Sequence, residues 1–458
     1  MLSQNPDSDR NHFDMRYEFM AQVKKPGFIA AILALLFLSS CTSTGTVTST
    51  SSSESVPATT NPQTAISFRI TWKDYSGRGE AIRKIVNSYN TSGGLCTVSM
   101  LSGDEDLAAT EALIKAGGDT VYVLPYRLVK YFGSLGYLKD LSSEFKDSED
   151  LFYPSVWSLG QVNDATYGIP WLGHSMCLLY NKSLLQEAGV DPAAITDLDS
   201  LVLAMEAVES KTSAKGIGLV GAESNDISWM VNQFVYGFGS ELVSEDGTTV
   251  AVNNDKAASA IDFYKNVLGS HAQQTWTSDT GTEAMNYFRD GQVAFEIQGI
   301  WGVTDVIKNG SPFEVGIISL SDIGLCSEVG PMMLAIPASM SNDMTRNAVD
   351  FMRYMISKPA EEMIMNGEYN PEHDTYYPFR TPIRTDMADS TIFKTYPEYL
   401  KFVEGFENPS IDVPVPLWQR VKDQIYAPGL HKVMTGELST QDFLAETEEK
   451  GNLILKGS

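Results

Sequence analysis

Between residues 66 and 135 short apolar segments alternate with amphipathic ones, and no other feature constrains the fold as tightly. Residues 66–71 alternate like a strand. After Trp72-Lys73-Asp74-Tyr75-Ser76-Gly77 a helix carries Ile82, Ile85, Val86 and Tyr89 on one face. Residues 97–101 read as a second strand, 107–116 as a helix, 120–124 as a third strand, and a further helix follows from Leu128. Strands separated by helices of this length form a parallel sheet covered on both faces. Ligands in such α/β sheets sit beyond the carboxyl ends of strands, which here are 72–76 and 124–127. With 458 residues the chain holds two or three such domains rather than one.

The centre of the chain repeats the pattern. A turn ending at Pro170 runs into the apolar segment 176–180, a buried strand, and Asn181-Lys182 opens a helix at Ser183. A later helix places Leu201, Ala204, Met205 and Val208 on one stripe, with Thr196 or Asp197 as its cap. Residues 217–220 form a short strand, and Ala257, Ala260, Ile261, Tyr264 and Leu268 mark another helix face.

The amino terminus has a different character. Lys24 and Lys25 precede an apolar run over 28–38, too short for the roughly 20 residues that span a bilayer but suited to a secretory signal. Met20 is a more natural start for such a signal than Met1. The Ser- and Thr-dominated segment 42–65 has no apolar periodicity and reads as a flexible tether, with a root-mean-square span of roughly 25 Å. A formal charge of −25 argues against a nucleic-acid partner, because phosphate binding needs clustered Lys and Arg. Cys96, Cys177 and Cys326 show no Cys-x-x-Cys spacing, which removes zinc and thioredoxin-type readings. Cys177 falls in the central strand as a core residue; Cys96 and Cys326 are left as a candidate pair.

Several motifs carry a resemblance. Tyr167-Gly168-Ile169-Pro170, followed by Leu179-Tyr180-Asn181-Lys182 and its helix, resembles the family 1 extracellular solute-binding proteins of ABC importers, carbohydrate-binding lipoproteins similar to maltose-binding protein. Phe288-Arg289-Asp290-Gly291-Gln292-Val293-Ala294-Phe295 with Gly299-Ile300-Trp301 is similar to a second family segment, and Thr435-Gly436 to its closing turn. Leu38-Ser39-Ser40-Cys41 resembles a bacterial lipobox closing a signal segment over 1–41, which implies cleavage just before Cys41 and lipidation of Cys41 as the new first residue. The helix at 195–199 departs from the family's Pro-x-Thr-Trp-x-Glu opening.

The resemblance implies a two-lobe periplasmic-binding-protein fold, each lobe a mainly parallel sheet flanked by helices. Lobe 1 would comprise 66–172 and 319–374, lobe 2 173–318 and 375–458, with crossings near Gly173, Ser319 and Asp374. The implied ligand positions are Trp72, Asp74, Tyr126, His174, Asp226, Trp229, Trp301 and Arg380. Trp and Tyr faces suit the C–H side of a sugar ring, and Asp, His and Arg suit its hydroxyls. Trp157 reads as packing.

Catalytic motifs are missing from the sequence: there is no Gly-x-Ser-x-Gly, His-Glu-x-x-His or phosphate-binding loop. Gly216-Ile217-Gly218-Leu219-Val220-Gly221 matches a dinucleotide fingerprint but reads as a strand itself, whereas that fingerprint works only as a turn after one. The expectation is therefore a monomeric, extracytoplasmic, lipid-anchored binding protein, on the periplasmic or cell-surface side, with no cofactor or metal. It would hand a sugar to permease subunits. The alternatives are the same fold binding a polyamine or other cation, a non-transport sensor or adhesin, and an extracytoplasmic glycosidase.

Overall fold

The computed structural model describes residues 64–103, 106–310 and 313–457. The signal segment, Cys41 and the tether up to residue 63 lie outside the described residues.

Two sheets organise the described chain. The first has five strands, in the order Thr97–Leu101, Ala65–Arg69, Thr120–Pro125, Met332–Ala335, Ile169–Leu172. The second has four, in the order Val315–Ser319, Cys177–Asn181, Val293–Gln298, Lys215–Gly218. Helices flank both. Gly77–Thr91 buries Ile82, Ile85, Val86 and Tyr89, and it starts where the Ser76 hydroxyl accepts from the Gly79 N–H. Leu198–Lys211 buries Leu201, Ala204, Met205 and Val208, and Asp197 caps it through a reciprocal box with Ser200. The Gly-Ile-Gly fingerprint is indeed a strand, Lys215–Gly218, paired parallel to Val293–Gln298.

In one detail the sheets depart from expectation: they are mixed, not mainly parallel. The three strands before residue 126 pair in parallel, as strand-helix-strand units must. Met332–Ala335 and Cys177–Asn181 instead pair antiparallel with their neighbours. Both follow a passage between the sheets and enter from the opposite end, so a reversed direction is the natural result.

The first passage runs through Gly173 to Met176, between strands of different sheets. The second follows Ser319, where Ser327–Glu328 pairs with Pro409–Ser410 before the chain joins the first sheet at Met332. Asp374 is the left-handed tip (φ 47°) of the hairpin formed by Glu368–Asn370 and Thr375–Tyr377. Glu368 of that hairpin holds Arg78 at 2.8 Å and Lys308 at 3.0 Å. The chain reaches the face of the second sheet on both sides of this hairpin: Met365 before it and Ile392, Phe393, Tyr399 and Phe402 after it pack with Cys177, Leu179 and Ile317.

Cys96 and Cys326 are not paired. The Cys96 thiol lies 3.5 Å from the Tyr89 hydroxyl, and that of Cys326 lies 3.4 Å from Asn408 Oδ1. Trp157 is buried against Phe152, with ring centroids 5.6 Å apart.

Candidate functional site

A cavity of about 530 Å³ lies where the two sheets present their strand ends. Trp72 follows the first strand of the first sheet, Tyr126 and Arg127 follow its third, and His174 follows Ile169–Leu172. From the second sheet, Gln298 ends Val293–Gln298 and Trp301 opens the next helix, while Asp226 and Trp229 stand on Asn225–Gly237. Of the sequence-derived candidates, Trp72, Tyr126, His174, Asp226, Trp229, Trp301 and Arg380 all line this space. Asp74 does not: its Oδ1 accepts from the Ser102 hydroxyl at 2.8 Å and its backbone N–H donates to Ser102 Oγ at 2.8 Å, which fixes the turn after Ala65–Arg69.

The aromatic wall is built in sequence. The Trp72 ring meets Phe379 edge-on at 5.5 Å, and the Arg380 guanidinium lies 4.1 Å from the Phe379 centroid and 4.8 Å from that of Trp301. His174 meets Trp301 at 4.9 Å with planes at 89°. Enclosure by protein, then the Arg380 charge, holds the imidazole well below its ordinary pKa, so His174 is neutral at pH 7. Gly330 makes room for that ring: a Cβ there would stand 2.4 Å from His174 Cε1.

Asp226 orients its neighbours. One oxygen accepts from the Trp229 indole N–H at 3.3 Å, and the other from the Gly281 N–H at 3.0 Å, at the start of Gly281–Arg289. A carboxylate in the first turn of one helix, bonded to the first N–H of another, favours both helix dipoles.

Sequence reasoning missed the polar end of the cavity, where Glu328 and Asp412 line the wall. Asp412 is 3% exposed and pairs with Lys422, itself 1% exposed, and accepts from Asn232 Nδ2 at 2.9 Å. Lys422 also donates to Asn225 Oδ1 at 2.7 Å, and Tyr126 Oη accepts from the Val413 N–H at 3.0 Å. No local motif marks these residues, since each owes its place to a contact with a distant segment. Among the described residues no group of three or more His, Cys, Asp or Glu could hold a metal, and no helix is long and apolar enough to cross a membrane.

The profile described as bacterial extracellular solute-binding protein matches residues 84–402. A Deinococcus radiodurans protein described as "Probable ABC transporter-binding protein" is 24% identical over 306 residues, 64% of this chain and 69% of that protein. The GacH receptor of Streptomyces glaucescens, solved unliganded and with acarbose, superposes with a TM-score of 0.70 at 21% identity, over 86% of this chain and 99% of that one. A cyclic alpha-maltosyl-1,6-maltose binding protein from Arthrobacter globiformis gives 0.71 at 19% identity, over 86% and 100%. At these identities the structural likeness shows a shared two-lobe fold.

Proposed function

The chain belongs to the bacterial extracellular solute-binding proteins, and from that premise we propose that it captures a carbohydrate in the cavity between its two sheets and delivers it to the permease of an ABC importer. The observation that carries this reading is the composition of the cavity wall. Trp72, Tyr126, Trp229 and Trp301 offer flat apolar faces, while Asp226, Gln298, Arg380 and Glu328 offer planar polar groups. A volume of about 530 Å³ falls within the range of small-molecule sites, roughly 300–1,000 Å³. The acarbose and maltosyl ligands of the structural relatives support the same class.

A cationic ligand is the second reading, because Asp226, Glu328 and Asp412 all face the cavity. Two of those carboxylates are engaged, Asp412 by Lys422 and Asp226 by Trp229 and Gly281. Arg78, Arg127 and Arg380 line the same space, Arg78 itself held by Glu368, so the wall carries no excess of negative charge for a cation. A thermal-shift screen over sugars, polyols and polyamines separates the two readings. A ligand at 100 times its Kd adds about 2.7 kcal/mol. Stabilisation by polyamines alone would end the carbohydrate reading, and hydrolysis of a bound glycoside would replace binding by catalysis.

The handover requires lobe closure over ligand, a hinge motion. Attachment to the membrane through a lipid on Cys41, with the segment from Thr42 to the strand that opens at Ala65 as the tether, completes the reading. Cys41→Ser should then release the protein from the membrane fraction with ligand affinity unchanged, and its retention there would refute the anchor.

A further inference from the structure

We propose that Glu328 is a specificity-determining ligand contact, whose uncommitted Oε2 exchanges a hydrogen bond with a hydroxyl of a neutral polyhydroxylated solute. This rests on the carbohydrate reading of the same cavity.

The residue is held firmly and left unsatisfied. Its strand, Ser327–Glu328, pairs with Pro409–Ser410, and its N–H donates to Gln233 Oε1 at 3.2 Å. The preceding Ser327 hydroxyl donates to the Met176 carbonyl at 2.9 Å and accepts from the Met176 N–H at 2.7 Å, so the second passage between the sheets is tied to the first. Glu328 is 5% exposed and lines the cavity, yet among the described residues Oε2 has no hydrogen-bond partner. A buried carboxyl oxygen left without a partner has lost its hydration with nothing in return, more so when charged. A ligand group entering the cavity is positioned to remove that cost.

Charge decides the class of ligand. Burial, followed by the Asp412 carboxylate, pushes the Glu328 carboxyl well above the ordinary range, while Lys422 and Arg127 act in the opposite direction. His174 also stands beside Gly330, whose missing Cβ would lie 3.3 Å from Glu328 Oε1. An ammonium group needs the ionised carboxylate. A hydroxyl serves both forms, donating to the carboxylate or accepting from the acid. Arg127 and Lys422 already supply positive charge beside this carboxyl, which weakens its claim on a cationic ligand.

The test uses the full chain with Glu328→Ala and Glu328→Gln. Each is titrated calorimetrically with maltose, D-mannitol and spermidine beside the native protein, and each is melted without ligand. The expected result is that Glu328→Ala loses roughly tenfold to a hundredfold in affinity for the sugar or polyol that the native chain binds. It should melt no lower than the native chain, because an unpartnered buried oxygen has gone. Glu328→Gln, which keeps one acceptor oxygen, should lose less. Affinity within twofold of native in both variants overturns the assignment while leaving the carbohydrate reading intact. A fall in melting temperature that accompanies the affinity loss in both variants makes Glu328 structural and overturns it likewise. Binding of spermidine alone by the native chain ends the carbohydrate reading and the hydroxyl contact with it, as does binding of none of the three.

Discussion

The Arg380 guanidinium lies 4.8 Å from the centroid of the Trp301 ring, so one indole face is already occupied by protein. A sugar stacked on Trp301 would use the opposite face, with Arg380 holding the ring from behind and His174 meeting it edge-on.

Trp301→Ala should therefore weaken binding of the best sugar about tenfold to a hundredfold, by analogy with base stacking worth roughly 1–3 kcal/mol. Trp157→Ala removes a buried ring packed on Phe152 and should lower the melting temperature without a specific loss of affinity. Calorimetry and melting of both variants check the contrast. An equal loss of stability in the two would make Trp301 a core residue.

Gly173 bears on the hinge in a way that its sequence context did not reveal. On sequence alone a glycine among bulky residues suggests a torsion that changes on closure, and Gly173→Val would then impair binding while sparing the fold. The structure gives a different cause: a Cβ at 173 would stand 1.7 Å from Ile383 Cγ2, and its backbone bridges to Thr381. Gly173→Val should destabilise the fold, by about 1–3 kcal/mol as for other overpacked sites. Gly173→Ala combined with Ile383→Ala should recover part of the loss measured for Gly173→Ala alone. Chemical denaturation of the variants decides it, and an unaltered midpoint in Gly173→Val would restore the pure hinge role.

Lys422→Met should leave the buried Asp412 carboxylate with Asn232 as its remaining bonded partner. Breaking one side of a buried pair costs roughly 3–5 kcal/mol, and the loss of the Lys422 bond to Asn225 should loosen the helix start that carries Asp226. The expected outcome is a lower melting temperature together with weaker ligand binding. Asp412→Asn with Lys422→Met should cost less than Lys422→Met alone, because no unpaired charge remains.

Lys130 offers a pH-dependent check. Burial alone lowers its pKa to about 8, against 10.5 for an ordinary lysine. Below pH 8 both folded and unfolded chains carry the proton, and the full cost of burying the charge is present. Between about 8 and 10.5 the unfolded chain binds a proton that the folded one does not, so this contribution to stability rises with pH. Lys130→Met should melt higher than the native chain at pH 7, by up to about 3 kcal/mol, and its advantage should shrink as pH rises through that window. A difference independent of pH would show that the lysine finds water or a counter-charge.

Local patterning made the helix faces and strand identities legible. Ile82, Ile85, Val86 and Tyr89 are spaced for one face, and that face is buried. The end-of-strand rule led to Trp72 and Tyr126, and motif resemblance led to His174 and Trp301. Strand direction did not follow, because Met332–Ala335 carries no mark in its own residues of entering the first sheet backwards. Glu328, Asp412 and Lys422 escaped for the same reason: a buried charge looks like a surface charge until its partner is known. Asp74 shows the converse, since a polar residue at the correct strand end was claimed by Ser102 one strand away.

The position of Met332–Ala335, between Thr120–Pro125 and Ile169–Leu172, also sets an order of events during synthesis. Until that strand has left the ribosome, Ile169–Leu172 has no neighbour in its sheet and Thr120–Pro125 has an open edge. The first sheet is thus completed by a segment made late, and its closure waits for contacts far apart in the chain. The delay is confined to that sheet, since all four strands of the second sheet precede Met332 in the chain, so during synthesis the second sheet can be complete while the first is not.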